Sequence, residues 1–454
     1  MEEITLEQVL EARESRVREQ RRLLSEYGAP VISFTMNIPG PVKETPLIRR
    51  AFLHGRKELN KALEKAGVTV ARERIKIEVT GCEALYVVLD GVLKVKRICT
   101  AIEDASPLGR LFDMDVIAPN GQKLDRSEVE GGERNCIVCG AKGRGCASRR
   151  THTVEELQTA TQHIMESHFY QTDRQKVSDL VTNALLDEVY TTPKPGLVDR
   201  NNNGSHRDMT VETFEKSAEA LRLYWAHCFD IGREGAGKAP GDTFSLLRQA
   251  GLEAERTMYD ATHGVNTHKG AIFTLGAVCG AIGRLWRAEA PCRDVDTILR
   301  ECSAMTRATV EAEFAALSTH PETAETKGQK FYLQYGMRGI RGEVAEALPG
   351  ISQVAMPKFC SALAVGYARN AAGVYALLAL IARGTDTNMV SRGGMTVSES
   401  AAKKAIELFD DRPFPSMEDI RHLDEEYIHF NLSPGGCADL LAATYFLYDW
   451  SQAD

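Results

Sequence analysis

The sequence predicts an α+β amino-terminal domain, with a mixed or antiparallel sheet and helices, followed by a larger all-α domain. Three observations predict it. Apolar residues alternate with polar ones at period two only in the first third of the 454 residues, as half-buried strands require. From about residue 154 the apolar spacing becomes helical, and no comparable strand run follows. The length exceeds the roughly 150 residues of a usual domain two- to threefold. A content of 43% apolar and 26% charged residues can bury a core, which excludes disordered, collagen-like and coiled-coil chains. The expected domains are 1–168 and 175–454, joined through the polar stretch 168–175.

The elements follow in order. Thr5 with Gln8 three positions on forms a capping box, and Gly28 is a helix stop, so 5–28 reads as an exposed, charge-rich amphipathic helix. Ile32, Phe34, Met36 and Ile38 then alternate with Ser33, Thr35 and Asn37 until Pro39-Gly40-Pro41, the pattern of a half-buried strand. Ile75, Ile77 and Val79 before Thr80-Gly81, the apolar run 84–89 before Asp90-Gly91, and 111–118 before the Asn120-Gly121 turn continue the strand chemistry. Beyond them Val177, Val181 and Leu185 have helical spacing, and the Ala/Leu-rich segments 243–262, 270–289, 296–318, 360–383 and 436–450 read as helices.

Charge and composition exclude several function classes. The 55 basic and 63 acidic residues give −8, without the global basic footprint of a nucleic-acid coat. The longest apolar run, 370–382, falls short of the roughly 20 residues that span a bilayer and reads as a buried helix, so no membrane association is expected. The start, Met1-Glu-Glu-Ile-Thr, has no secretory signal pattern, which makes the cytoplasm the expected compartment. Most of the eleven cysteines, such as Cys228, Cys279, Cys302 and Cys360, sit singly in apolar stretches, as small core residues of a reducing compartment do.

Asp113 and Asp115 are an i, i+2 pair on an expected strand, so they share one face about 6.6 Å apart. With Arg110 upstream they suit Mg²⁺ held against substrate phosphates, although a solvated strand face has the same pattern. Cys136, Cys139, Cys146 and His152 have a spacing close to that of a three-Cys, one-His Zn²⁺ site, and packed reduced thiols or a redox pair fit it too. That loop is also basic, with Lys142, Arg144, Arg149 and Arg150. Gly232-Arg-Glu-Gly-Ala-Gly237-Lys238 nearly spells a phosphate loop, but Ala239 replaces the Mg²⁺-binding hydroxyl and the approach is helical, so it reads as a flexible connection.

Four loops of the second domain are richer. Lys194-Pro-Gly-Leu-Val-Asp199 and the following turn with His206 and Asp208 combine a cation, carboxylates and an imidazole. Asn266-Thr-His268-Lys269-Gly270 precedes an apolar helix that Asn266 or Thr267 can cap, with free N–H groups and Lys269 facing an anion. Ser433-Pro-Gly435-Gly436 has the same layout, followed by Asp439 near the helix start. Asp386-Thr-Asn388 and Arg392 complete the set. Each is explicable as a cap or turn, but together they favour a polyphosphate site.

These residues carry a resemblance. Ser33 to Pro41, Gly109-Arg110-Leu-Phe-Asp113-Met-Asp115 and the cysteine block resemble the apo-citrate lyase phosphoribosyl-dephospho-CoA transferase family over 5–165. The segments 194–208, 266–270, Asp386-Thr-Asn388 and Ser433-Pro-Gly-Gly resemble the triphosphoribosyl-dephospho-CoA synthase family over 175–452. Cys82 and Cys437 depart from the pattern, which has proline and serine there. The resemblance implies that the α domain joins the ribose 2′-hydroxyl of 3′-dephospho-CoA to C1 of the ATP ribose and releases adenine. The first domain would then move the phosphoribosyl-dephospho-CoA unit to a serine of the citrate lyase acyl carrier (gamma) subunit. On this reading Lys194, Lys269 and Arg392 clamp the polyphosphate with Mg²⁺ on Asp199, Asp208, Asp386 or Asp439, and Asn266, Asn388, Ser433, Gly435 and Gly436 complete the pocket. His206 or His268 supplies a base, Asp113 and Asp115 hold the second Mg²⁺, and Arg110 meets the phosphates. The rivals are a coenzyme kinase or nucleotidyltransferase that cleaves ATP between phosphates, and a zinc-bearing adaptor that presents a carrier without catalysis.

Overall fold

The computed structural model describes residues 3–453, with the side chains of Arg144, Ala147 and Asp411 outside the described residues. The chain divides into two units, Met1–Thr172 with Arg287–Ala290, and Asp173–Trp286 with Pro291–Asp454.

The first unit is α+β. Helix α1 (Leu6–Tyr27) starts from the Thr5–Gln8 capping box and stops at Gly28 in the left-handed region. Strand β1 (Val31–Met36), helix α2 (Pro46–Lys65), strands β2 (Thr69–Glu78) and β3 (Gly81–Leu89), helix α3 (Val92–Asp104) and strand β4 (Phe112–Ile117) follow. All strand pairs are antiparallel, in the order β2-β3-β1-β4. Helix α2 begins with Thr45 as cap and Pro46 in the first turn, a start signal that the strand-centred reading of this stretch passed over.

The period of two decides the layers. Ile32, Phe34, Tyr86, Met114 and Val116 bury one sheet face, and the Phe34 ring stacks on Phe52 of α2 at 5.0 Å. On the other face α1 covers one end, where Leu23, Leu24, Val31, Val87 and Ile117 form a cluster. The register then places Ser33 opposite both Leu85 and Asp115, and Thr35 opposite both Glu83 and Asp113. A polar row therefore continues along the same face beyond the apolar end. Helix α4 (Gly143–Arg149) follows in the basic loop.

Helix α5 (Val154–Tyr190) runs through the polar stretch 168–175, within which the two units divide at Thr172/Asp173. That stretch contains no proline or glycine, and Phe169 and Asp173 are buried, so its polar residues propagate the helix instead of ending it. The remaining elements are α6 (Val211–Ala220), α7 (Arg222–Glu234), α8 (Pro240–Ala261), α9 (Lys269–Leu285), α10 (Val295–Thr319), α11 (Lys327–Tyr335), α12 (Gly339–Ala345), α13 (Met356–Val365), α14 (Arg369–Ala382), α15 (Thr387–Gly393), α16 (Met395–Asp411), α17 (Met417–His429) and α18 (Gly435–Gln452).

The second unit is thus helical, with α9, α14 and α18 almost wholly buried on their apolar sides. The segment 360–383, expected as one helix, is broken at Gly366, whose φ of 98° ends α13. Cys228, Cys279 and Cys302 are buried as expected, whereas Cys360 is exposed on α13. Gly232 and Gly280 explain the near-phosphate-loop sequence: a Cβ at Gly232 would lie 2.1 Å from the Gly280 carbonyl oxygen. That glycine serves close packing of α7 on α9. Among the described residues no helix is long and apolar enough to cross a membrane.

Candidate functional site

The second unit encloses a cavity of about 900 Å³. The starts of α9 and α18 open onto it because Gly270 and Gly435–Gly436 let other groups approach these helix ends closely. The Cβ of any residue at 270 would fall 1.9 Å from Asp439 Oδ2, so glycine is required there for the carboxylate to sit against α9. Asp439 accepts the Ala271 N–H, and Asp386 Oδ2 accepts the Cys437 N–H of α18 at 2.9 Å. The helix starts were expected to present free N–H groups to an anion. Instead one carboxylate already occupies part of each, the arrangement that helix polarity favours.

Asp386 has a second task, because its Oδ1 accepts the Asn388 and Met389 N–H groups at 2.7 and 3.1 Å and caps α15. Asp439 differs in having no such saturation. Burial and the facing Glu188 and Asp386 carboxylates push its pKa well above the ordinary carboxylate range.

Lys194 lines the cavity but is 1% exposed, and its ammonium donates to Glu188 Oε1 at 2.5 Å and the Glu188 carbonyl at 2.8 Å. Its charge is compensated before any ligand arrives. Asp199 is not on the cavity. Its carboxylate accepts the Thr192 hydroxyl and the Lys194, Asn201 and Asn202 N–H groups at 2.7–3.1 Å, which folds the 192–202 loop. Asp208 is exposed and also off the cavity. The structure thus places these two expected metal ligands in a loop and on the surface, off the cavity.

The two histidines separate clearly. Arg392 donates to His206 Nδ1 at 3.2 Å, and a guanidinium can only donate, so Nε2 carries the ring hydrogen and donates to Ser433 Oγ at 2.8 Å. Burial and then the Arg392 charge lower the His206 pKa to about 4. Its ring is neutral and engaged at both nitrogens. His268 is buried, with Nδ1 2.7 Å from Ser217 Oγ and no partner on Nε2. Burial lowers its pKa to about 3, so it is a neutral imidazole with one nitrogen unspent.

Lys269 lies at the mouth, paired with Glu255 at 2.7 Å, and Asn266 Oδ1 accepts the Lys269 N–H at 3.3 Å. Arg392 is exposed, Ser433 is buried, and Asn388, Gly435 and Gly436 also border the cavity. Several cavity residues had no sequence signal. Glu188 ends a helix without a motif, and the Arg383–Glu343 pair, 2.6 Å apart, joins positions forty residues apart. Away from the cavity, Asp424 looks like part of an acidic helix surface, yet it is buried and accepts from Gly196 N and Asn202 Nδ2, both at 2.8 Å, holding the 196–202 loop.

In the first unit Asp113 and Asp115 share one face of β4 in the polar row, as their spacing requires. Asp115 pairs with Lys123 at 2.5 Å, while no donor reaches Asp113 among the described residues. Burial, then the Asp115 charge, raises the Asp113 pKa. Arg110 donates to the Asn135 carbonyl and keeps a second nitrogen without a partner. Arg134 donates to the Phe112 carbonyl at 3.0 Å and pairs with Glu103. The ligand atoms of Cys136, Cys139, Cys146 and His152 lie within 4.8 Å of one another. Lys142, Arg149 and Arg150 are exposed, and the Arg144 side chain lies outside the described residues.

Residues 174–454 match the family model described as ATP:dephospho-CoA triphosphoribosyl transferase, and residues 4–168 the one described as apo-citrate lyase phosphoribosyl-dephospho-CoA transferase. The chain is 32% identical over 450 residues to Protein CitXG of Haemophilus influenzae, covering 98% of this chain and 96% of that one. Protein CitXG of Leuconostoc mesenteroides is also 32% identical, over 98% of this chain and 97% of its own. A probable 2-(5″-triphosphoribosyl)-3′-dephosphocoenzyme-A synthase of Vibrio cholerae is 41% identical over 61% of this chain and 88% of its own. The chain therefore belongs, over nearly its whole length, to the paired transferase families of citrate lyase prosthetic-group maturation.

Proposed function

We propose that this chain makes and attaches the prosthetic group in two steps, with the 175–454 domain making it and the 1–168 domain attaching it. In the first step the ribose 2′-oxygen of 3′-dephospho-CoA bonds to C1 of the ATP ribose, the C1–N9 bond breaks, and adenine leaves. The triphosphate stays intact, and the hydroxyl proton is taken up on the way to neutral adenine. The observation that carries this reading is the cavity, whose volume suits two nucleotide-sized reactants and whose lining combines neutral histidine with carboxylates.

His268 Nε2 takes the hydroxyl proton, which requires the tautomer with the ring hydrogen on Nδ1 facing Ser217 Oγ. His206 positions Ser433 and Arg392. Mg²⁺ fits Asp439, whose repulsion with Glu188 and Asp386 a divalent cation would relieve, and it would supply charge neutralisation for the triphosphate. Lys269 and Arg392 meet the outer phosphates; Lys194 acts by holding Glu188.

In the second step the carrier serine oxygen attacks the phosphorus nearest the new ribose, and pyrophosphate leaves. Asp113, without a donor of its own, would share a second Mg²⁺ with Asp115, while Arg110 draws the leaving phosphates. The exposed Arg149 and Arg150 suit an acidic acyl carrier subunit of citrate lyase.

The test is incubation of the full chain with ATP, Mg²⁺ and dephospho-CoA, then with the apo carrier. Free adenine, followed by a carrier mass gain equal to phosphoribosyl-dephospho-CoA, is the expected result. ADP or AMP without adenine would overturn the first step, and an unmodified carrier would overturn the second.

A further inference from the structure

We propose that Cys136, Cys139, Cys146 and His152 bind one Zn²⁺, which staples residues 134–152 to the edge of the sheet beside Asp113. Three observations meet here. The four ligand atoms lie within 4.8 Å of one another, with Cys139 Sγ 3.5 Å from Cys146 Sγ and 3.3 Å from His152 Nε2. Zn–S bonds of about 2.3 Å in a tetrahedron set neighbouring sulfurs roughly 3.8 Å apart, whereas a disulfide needs about 2.05 Å. All three thiols are free. Three soft thiolates with one imidazole at this geometry select zinc over hard cations.

The second observation is the absence of an apolar core under this stretch. Among the described residues from 125 to 160, none is buried, so no apolar core holds this stretch. Its backbone is nevertheless organised as a tight turn. Cys136 N donates to the Ala141 carbonyl at 2.6 Å, and Gly140 N donates back to the Cys136 carbonyl at 3.0 Å, with Gly140 at φ 72°. Segments without a core are held by crosslinks or metals.

The third observation is where the turn is tied. Arg134 donates to the Phe112 carbonyl at 3.0 Å, Gly143 N donates to the Arg134 carbonyl at 2.9 Å, and Arg110 donates to the Asn135 carbonyl. The residue before Asp113 and the Arg110 guanidinium are both fixed by the stapled segment. The metal therefore acts as a positioning element for the carrier-transfer step, a consequence that rests on the function proposed above; the site itself does not.

The full chain, purified without chelator, is expected to contain about one zinc per molecule. Cobalt replacement should give the visible bands of a tetrahedral thiolate site. Cys139→Ser and Cys146→Ser should lose the metal, and Cys360→Ser, altering an exposed thiol in the other unit, should keep it. Removing zinc should lower carrier modification at least roughly tenfold and leave adenine release unchanged, which shows that the helical unit remains folded; zinc should restore the loss, which shows that the first unit was not irreversibly unfolded. A metal-free chain, or zinc retained by Cys139→Ser, would overturn the site. Unchanged carrier modification without zinc would overturn its positioning role. Zinc bound to a chain that modifies no carrier at all would count against the second step alone.

Discussion

The two proposed reaction centres are built on opposite plans. In the helical unit the reactive groups face an internal cavity, and residues from five distant stretches, 188–206, 266–270, 338–343, 383–392 and 433–439, converge on it. In the α+β unit the acidic pair lies in a polar row on one face of a four-stranded sheet, near the basic loop that Arg134 ties to the Phe112 carbonyl. A cavity surrounds small reactants, which suits the proposed glycosyl transfer. A sheet face leaves room for a reactant attached to a whole protein. The difference suits the small-molecule acceptor and the carrier serine of the two proposed steps.

Variants can break this division of labour. His268→Ala should reduce adenine release by roughly 10²–10⁴-fold, the usual worth of a positioned acid–base group. Carrier modification from preformed donor should be unchanged, and an equal loss of both reactions would merge the two centres. Asp113→Asn should do the reverse, lowering carrier modification on the order of 10²-fold while adenine release persists. Gly270→Ala places a methyl 1.9 Å from Asp439 Oδ2. It should cost about 1–3 kcal/mol of stability in the helical unit, read as a lower denaturant midpoint, with adenine release impaired and carrier modification spared.

The smallest effect sharpens the electrostatics of the cavity. The unfolded chain protonates His268 near the usual 6.5, while burial holds the folded value at about 3. The unfolded state therefore binds more protons between those values. The stability contributed by keeping this ring neutral is intact above about pH 6.5 and declines as pH falls toward 3, by up to about 1.4 kcal/mol per pH unit. Urea melts of wild type and His268→Gln at several pH values should differ in that slope; parallel slopes would show a solvated ring.

Local signals were legible where neighbours in sequence do the work. The Thr5–Gln8 box started the first helix, the alternation around Ser33 and Thr35 set a strand, and the i, i+2 spacing put Asp113 and Asp115 on one face. The polar stretch 168–175 marked where the units divide but not that a helix runs through it, because helix breaking requires glycine, proline or competing side chains. Asp199 and Asp208 show a different ambiguity. A carboxylate among turn residues has the same sequence whether it binds a metal or folds its own loop, and Asp199 spends its oxygens on four local donors.

The sequence by itself determined the strand-bearing character of the first unit, the helical character of the second and the four metal-ligand types in one short segment. Period, caps and spacing are properties of contiguous residues, so one chain suffices to read them. Only the tertiary structure decided that Lys194 is neutralised by Glu188, that Asp439 sits against the start of α9, and that His268, not His206, keeps a nitrogen open. Those facts depend on which distant groups meet in a medium where each charge needs a partner and each donor an acceptor, and no local pattern encodes that meeting.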